Sequence, residues 1–139
     1  MNRVLLDAGP LVAILSERDE RHQLCLRTLE SLRATPLSCW PVITEAAWLL
    51  RRNPRAVSLL LRRVGEGILA MLPLEPADAA AIAKILEKYS DLRPQLADAA
   101  LVHLAARESI DTIFTLDRRD FLVYRSARNR RFRLIPDIS

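Results

Sequence analysis

The chain has 139 residues, half of them hydrophobic and only 5% aromatic, so a single domain over residues 1–139 with one core of Leu, Val, Ile and Ala is expected and disorder is excluded. Its formal net charge of +4 is carried by 19 arginines against two lysines, Lys84 and Lys88, a composition that fits a phosphate-bearing partner, a solvated basic face or a surface for an acidic protein. Cys25 and Cys39 lack CxxC spacing, which argues against zinc, and the N-terminus reaches Asp7 too soon for a signal sequence. No apolar run is long enough to span a membrane, so a cytoplasmic location is expected.

The first strand is expected at Val4 to Leu6, ending at Asp7-Ala8-Gly9-Pro10. A short buried helix follows over Leu11 to Leu15, with Pro10 suited to its first turn. Glu20 to Arg33 places Leu24, Cys25, Leu29 and Leu32 on one helical face. A second strand, Leu37 to Cys39, leads into a helix from Pro41 to Arg52, and Pro54 restarts a helix with Val57, Leu60, Leu61 and Val64 at helical spacing. Gly65 and Gly67 end it. Ile68 to Leu72 is expected as the third strand, Pro76 to about Tyr89 as a helix, and Leu96 to Ser109 as an alanine-rich helix. Thr112 to Thr115 is the fourth strand, a short helical stretch lies near Phe121, and Phe132 to Ile135 is a final edge strand closed by Pro136. Strands joined by helices of this length run parallel with right-handed crossovers. The expected fold class is α/β, an α/β/α sandwich with a central parallel sheet of four to five strands.

Ligands of such sheets bind outside the carboxyl ends of the strands. Asp7 follows the first strand directly, and Asp117 follows the fourth by one residue. Glu45 lies early in the helix after the second strand, where its side chain leans back towards the same edge. Asp98 begins the helix leading into the fourth strand, which also starts at that edge. Each has an ordinary explanation: Asp117 with Asp120 resembles a helix cap, Asp98 suits a helix dipole, Asp7 can accept turn amides, and Glu45 can be simply exposed. Together, carboxylates so gathered repel unless a cation lies among them, and oxygen-only ligands point to Mg²⁺ or Mn²⁺. Phosphodiester hydrolysis is the reaction such a site suits. His22 and His103 fall within helical patterns and no GxSxG elbow is present, which removes acyl transfer.

The chain resembles the PIN-domain ribonucleases, in particular the VapC-like toxins of bacterial toxin–antitoxin pairs. The resemblance rests on Leu5-Leu6-Asp7-Ala8-Gly9-Pro10-Leu11-Val12, Thr44-Glu45-Ala46, Tyr89-Ser90-Asp91 with Ala97-Asp98-Ala99, and Thr115-Leu116-Asp117 with Asp120-Phe121. It implies an Mg²⁺- or Mn²⁺-dependent endoribonuclease whose catalytic carboxylates are Asp7, Glu45, Asp98 and Asp117, with Asp7 and Asp98 as metal ligands. Thr115 is implied as a supporting hydroxyl and Asp120 as an outer acid. A homodimer and an antitoxin partner blocking the site are implied as well. Many similar sequences carry an aspartate where this chain has Gln95, a departure that bears on metal affinity.

Two other classes with an aspartate after the first strand fit poorly. A haloacid-dehalogenase-type phosphatase needs a second acid where this chain has Gly9, and a receiver domain needs an aspartate after the third strand, where Leu72-Pro73-Leu74 stands. The competing reading is a PIN-like module that binds RNA or a partner without cutting. Two arginine clusters favour RNA contact: Arg51, Arg52, Arg55, Arg62 and Arg63, and the C-terminal run Arg118, Arg119, Arg125, Arg128, Arg130, Arg131 and Arg133.

Overall fold

The computed structural model describes residues 3–138. Five parallel strands form one sheet in the order β3-β2-β1-β4-β5: β1 (Val4–Leu6), β2 (Leu37–Ser38), β3 (Ala70–Met71), β4 (Thr112–Phe114) and β5 (Arg133–Ile135). The helices are α1 (Ala8–Leu15), α2 (His22–Ser31), α3 (Trp40–Leu49), α4 (Pro54–Gly65), α5 (Ala79–Lys88), α6 (Leu96–Glu108) and α7 (Arg118–Phe121). Short 3-10 turns at Pro76–Asp78 and Ser90–Leu92 precede α5 and α6. The sheet flanked by helices is the expected α/β class.

Boundaries moved by a few residues, each for a local reason. The first helix begins at Ala8 because the Asp7 carboxylate accepts the Ala8 amide at 2.8 Å, so Gly9 and Pro10 are already helical. The third strand shrinks to Ala70–Met71, an edge strand with β2 as its one neighbour. Residues Pro76–Asp78 form a 3-10 turn in place of a first α-turn, with Glu75 and Asp78 capping one another. Thr115 lies one residue past β4 yet still donates its amide to the Ile135 carbonyl at 2.9 Å.

β1 is buried at all three residues because strands pair on both its sides and helices cover both its faces. α6 is the central helix, burying Ala97, Ala99, Ala100, Leu101, Val102, Leu104 and Ala105. Its alanines let the neighbouring helices approach closely, and the larger Leu101 and Leu104 fill the space beneath them at 0% exposure. Cys25 and Cys39 are free and buried, and burial pushes both thiols up to about 11. His22 Nδ1 lies 2.8 Å from the Ala13 carbonyl and His103 Nε2 lies 2.8 Å from Asp78, so each histidine has a structural partner. Among the described residues, no helix is long and apolar enough to cross a membrane.

The strand order has one consequence for function. The chain winds outward from β1 through β2 to β3, then returns to place β4 on the other side of β1. The connections leaving the carboxyl ends of β1 and β4 therefore diverge and open a crevice between them, the position where ligands bind in open α/β sheets.

Candidate active site

Pairing of Leu6 with Phe114 puts Asp7 and Thr115, the next residues of each chain segment, side by side at the mouth of that crevice. The Thr115 hydroxyl, fully buried, donates to Asp7 Oδ2 at 2.7 Å and accepts the Asp117 amide at 3.0 Å. One hydroxyl thus ties together the two segments that bear Asp7 and Asp117. Asp117 in turn caps α7, accepting the Asp120 amide at 3.1 Å. The capping roles expected for Asp7 and Asp117 are real, and they orient the same carboxylates that line the crevice.

Asp98 lies in the first turn of α6, only 9% exposed, and Glu45 is half-buried on α3. A cavity of about 560 Å³ is lined by Asp7, Glu45, Asp98, Asp117 and Asp120, with Gln95 and Arg93 also on its wall. All four carboxylates expected from the sequence come together there, and Asp120 joins them. Carboxylate oxygens of Asp98, Asp117 and Asp120 lie within 4.8 Å of one another. Asp7 is a wall of the same cavity, with both oxygens already hydrogen-bonded.

Proton affinities record the crowding. Burial, then the negative charges of Asp7, Glu45, Asp117 and Asp120, push Asp98 up to about 7. Burial also raises Glu45, helped by Asp7 and Asp117. Burial raises Asp7 against the lowering pull of the Thr115 and Ala8 hydrogen bonds, and burial followed by Asp117 raises Asp120. Among the described residues, none of the five pairs with an arginine, lysine or histidine. A cluster of hard oxygen donors, three of them mutually close and none ion-paired within the described residues, fits a divalent cation such as Mg²⁺ or Mn²⁺.

Tyr124 was not singled out in the sequence. It is fully buried, packs edge-on against Phe121 at 5.0 Å and Tyr89 at 4.9 Å, and points its hydroxyl at Asp98 Oδ2, 3.4 Å away. In a chain with two tyrosines, its spacing of three from Phe121 is the signal that marks it.

The arginine clusters divide. Arg118 donates to the Pro136 carbonyl and Arg125 to the carbonyls of Leu122, Val123 and Tyr124, so both hold the C-terminal segment together. Arg128, Arg130 and Arg131 line a separate cavity with Ser109 and Asp111, which precede β4. They therefore lie at the amino edge of the sheet, opposite the carboxylates.

Comparison with known proteins gives the family and the fold. The PIN domain family matches residues 4–126. Ribonuclease VapC26 of Mycobacterium tuberculosis is 30% identical over 135 residues, covering 96% of this chain and all of that protein. The crystal structure of Mycobacterium tuberculosis VapC20, described as a sarcin-ricin loop cleaving toxin, superposes with a TM-score of 0.77 at 15% identity, covering 84% of this chain and 91% of that one. At that identity the superposition speaks for the fold, and VapC26 carries the likeness in sequence. With the parallel sheet and these matches in agreement, this chain belongs to the PIN-domain family, as a VapC-like member.

Proposed function

We propose that this chain is an Mg²⁺- or Mn²⁺-dependent endoribonuclease that hydrolyses RNA phosphodiester bonds, acting as the toxin of a toxin–antitoxin pair. The observation that carries the reading is the convergence of Asp7, Glu45, Asp98, Asp117 and Asp120 on one cavity, none of them ion-paired among the described residues. The likeness to a ribonuclease over nearly its whole length supports RNA as the substrate.

Asp98, Asp117 and Asp120 are the residues to hold the cation, with Asp7, oriented by Thr115, as the further acidic ligand. When bound, the cation supplies Lewis-acid activation of water and neutralises charge developing on the phosphate. Glu45, half-buried on the cavity wall, is placed to accept a proton from the attacking water. Tyr124 and Thr115 hold Asp98 and Asp7 at fixed positions from beneath the cavity. As the family likeness implies, the protein works in the cytoplasm as a homodimer, and an antitoxin protein restrains it by covering the site.

The test is incubation of total RNA with purified wild type and Asp98→Asn in Mg²⁺, Mn²⁺ or EDTA. Discrete products that require the metal and vanish in the variant are expected. Cleavage by the variant at the wild-type rate overturns the assigned site. Salt-sensitive binding without cleavage by wild type favours the non-catalytic RNA-binding module.

A further inference from the structure

Trp48 stands at the rim of the carboxylate cavity with its ring in solvent. It lies in the last turn of α3, three residues and so nearly one helical turn beyond Glu45, and both residues line the cavity. The residue is 62% exposed, an unusual position for the largest apolar side chain. Arg51 folds back on it: its guanidinium carbon sits 3.8 Å from the ring centroid while Nη1 donates to the Trp48 carbonyl at 2.9 Å. That stack fixes the indole and adds positive charge to its ring system. Trp48 also belongs to an adjoining, mainly apolar groove with Trp40 and Leu96, so the carboxylate cavity and this groove share Trp48 and Glu45 on their walls.

Arg93 supplies the second observation. It is the one cation lining the carboxylate cavity, yet among the described residues its side chain pairs with no carboxylate. Its backbone is left-handed, φ 51° and ψ 55°, at the turn between Ser90–Leu92 and α6. That conformation favours glycine, and the arginine that adopts it is exposed at the rim. An unpaired guanidinium and an exposed indole on the walls of one cavity match the two recurring needs of an unpaired nucleotide, a phosphate clamp and a stacking surface.

We propose that Trp48 and Arg93 form a nucleotide subsite beside the carboxylates, taking one unpaired RNA nucleotide with its base on the indole and its phosphate on the guanidinium. The inference deepens the proposed ribonuclease function and rests on it for the identity of the ligand. It restricts the substrate to RNA that is single-stranded where it meets the site, since paired bases cannot present a free face to Trp48.

The experiment is fluorescence anisotropy with a fluorescein-labelled, unstructured RNA of about a dozen nucleotides, as a single strand and annealed to its complement, in EDTA to prevent cutting. Wild type is expected to prefer the single strand. Trp48→Ala weakens that binding by about 5- to 150-fold, the loss of one base–aromatic stack, and removes the preference; Trp48→Phe restores part of it. Arg93→Gly lowers the slope of log affinity against log salt by about 0.7 while its Tm is unchanged or higher, an outcome that a structural role for Arg93 would not give. In a Trp40→Phe background Trp48 is the sole indole, and its fluorescence is expected to quench on adding the single strand.

Unchanged binding by Trp48→Ala and Arg93→Gly, absent quenching, or no binding by wild type overturns the subsite. If Trp48→Ala instead breaks a dimer while RNA affinity holds, the aromatic face belongs to a second copy and the subsite is again overturned. Metal-dependent cutting retained in full by both variants sinks the subsite and leaves the ribonuclease standing. Binding through Trp48 with no cutting in Mg²⁺ or Mn²⁺ does the reverse.

Discussion

Replacing Asp98 by asparagine is expected to stabilise the metal-free protein at alkaline pH while removing its activity. The carboxylate titrates at about 7 in the fold, against an ordinary value of 3.8, because it is buried and faces four other acids. A group whose folded pKa is raised binds its proton more tightly when folded. Its contribution is therefore fully present below about pH 4 and is lost as pH rises through 7. A gap of about 3 pH units at about 1.4 kcal/mol each sets a ceiling of about 4 kcal/mol at pH 8. Neighbouring carboxylates share the proton and the repulsion, so a net gain of about 2 kcal/mol is the working figure. For a domain of this size that is a rise of roughly 5–10 °C in Tm. Asparagine keeps the shape and an oxygen to accept the Tyr124 hydroxyl, so no new cavity offsets the gain. The assay is thermal unfolding in EDTA at pH 5 and pH 8, repeated at pH 8 with Mg²⁺. The variant should exceed wild type at pH 8, the difference should shrink at pH 5, and Mg²⁺ should raise wild type more than the variant. A variant less stable than wild type at pH 8 in EDTA would show that the Asp98 charge is compensated within the protein, and the cation-site reasoning would fail.

Thr115→Val removes the hydroxyl that joins Asp7 to the Asp117 amide, leaving buried polar atoms without partners. It should cost about 1–3 kcal/mol by denaturant unfolding and lower cleavage, with Thr115→Ser restoring both. Tyr124→Phe should change stability by less than about 1 kcal/mol, because its bond to Asp98 is long, whereas Tyr124→Ala should cost about 3–5 kcal/mol by opening a cavity beneath the site. Equal losses in the two variants would mean that the hydroxyl, not the ring, dominates. Replacing Arg128, Arg130 and Arg131 by Ala should weaken RNA binding and reduce its salt slope without changing the rate at saturating RNA, since they lie at the edge opposite the carboxylates. A slope equal to wild type in salt titrations would move the contact to Arg51 and Arg52.

What the amino-acid order determined by itself was everything that depends on near neighbours along the chain. Val4-Leu5-Leu6 and Thr112-Ile113-Phe114 read as buried strands because they are continuous apolar or β-branched runs, and Asp7 and Asp117 follow them closely enough that any parallel sheet carries both to its carboxyl edge. Glu45 and Asp98 were legible for the same reason, as early residues of helices that start at that edge. Only the tertiary structure decided which groups touch across the chain. It placed β4 beside β1 and so set Thr115 against Asp7, 108 residues apart. It brought Asp120, expected as an outer acid, within ligand distance of Asp98, and set Tyr124 beneath that carboxylate. It also tied Arg118 to the Pro136 carbonyl and sent Arg128, Arg130 and Arg131 to the far edge, though all four belong to one run in the sequence. The periodicity of a segment reports which face is buried, whereas the partner that buries it is chosen by strand order and helix packing, and those are properties of the whole chain.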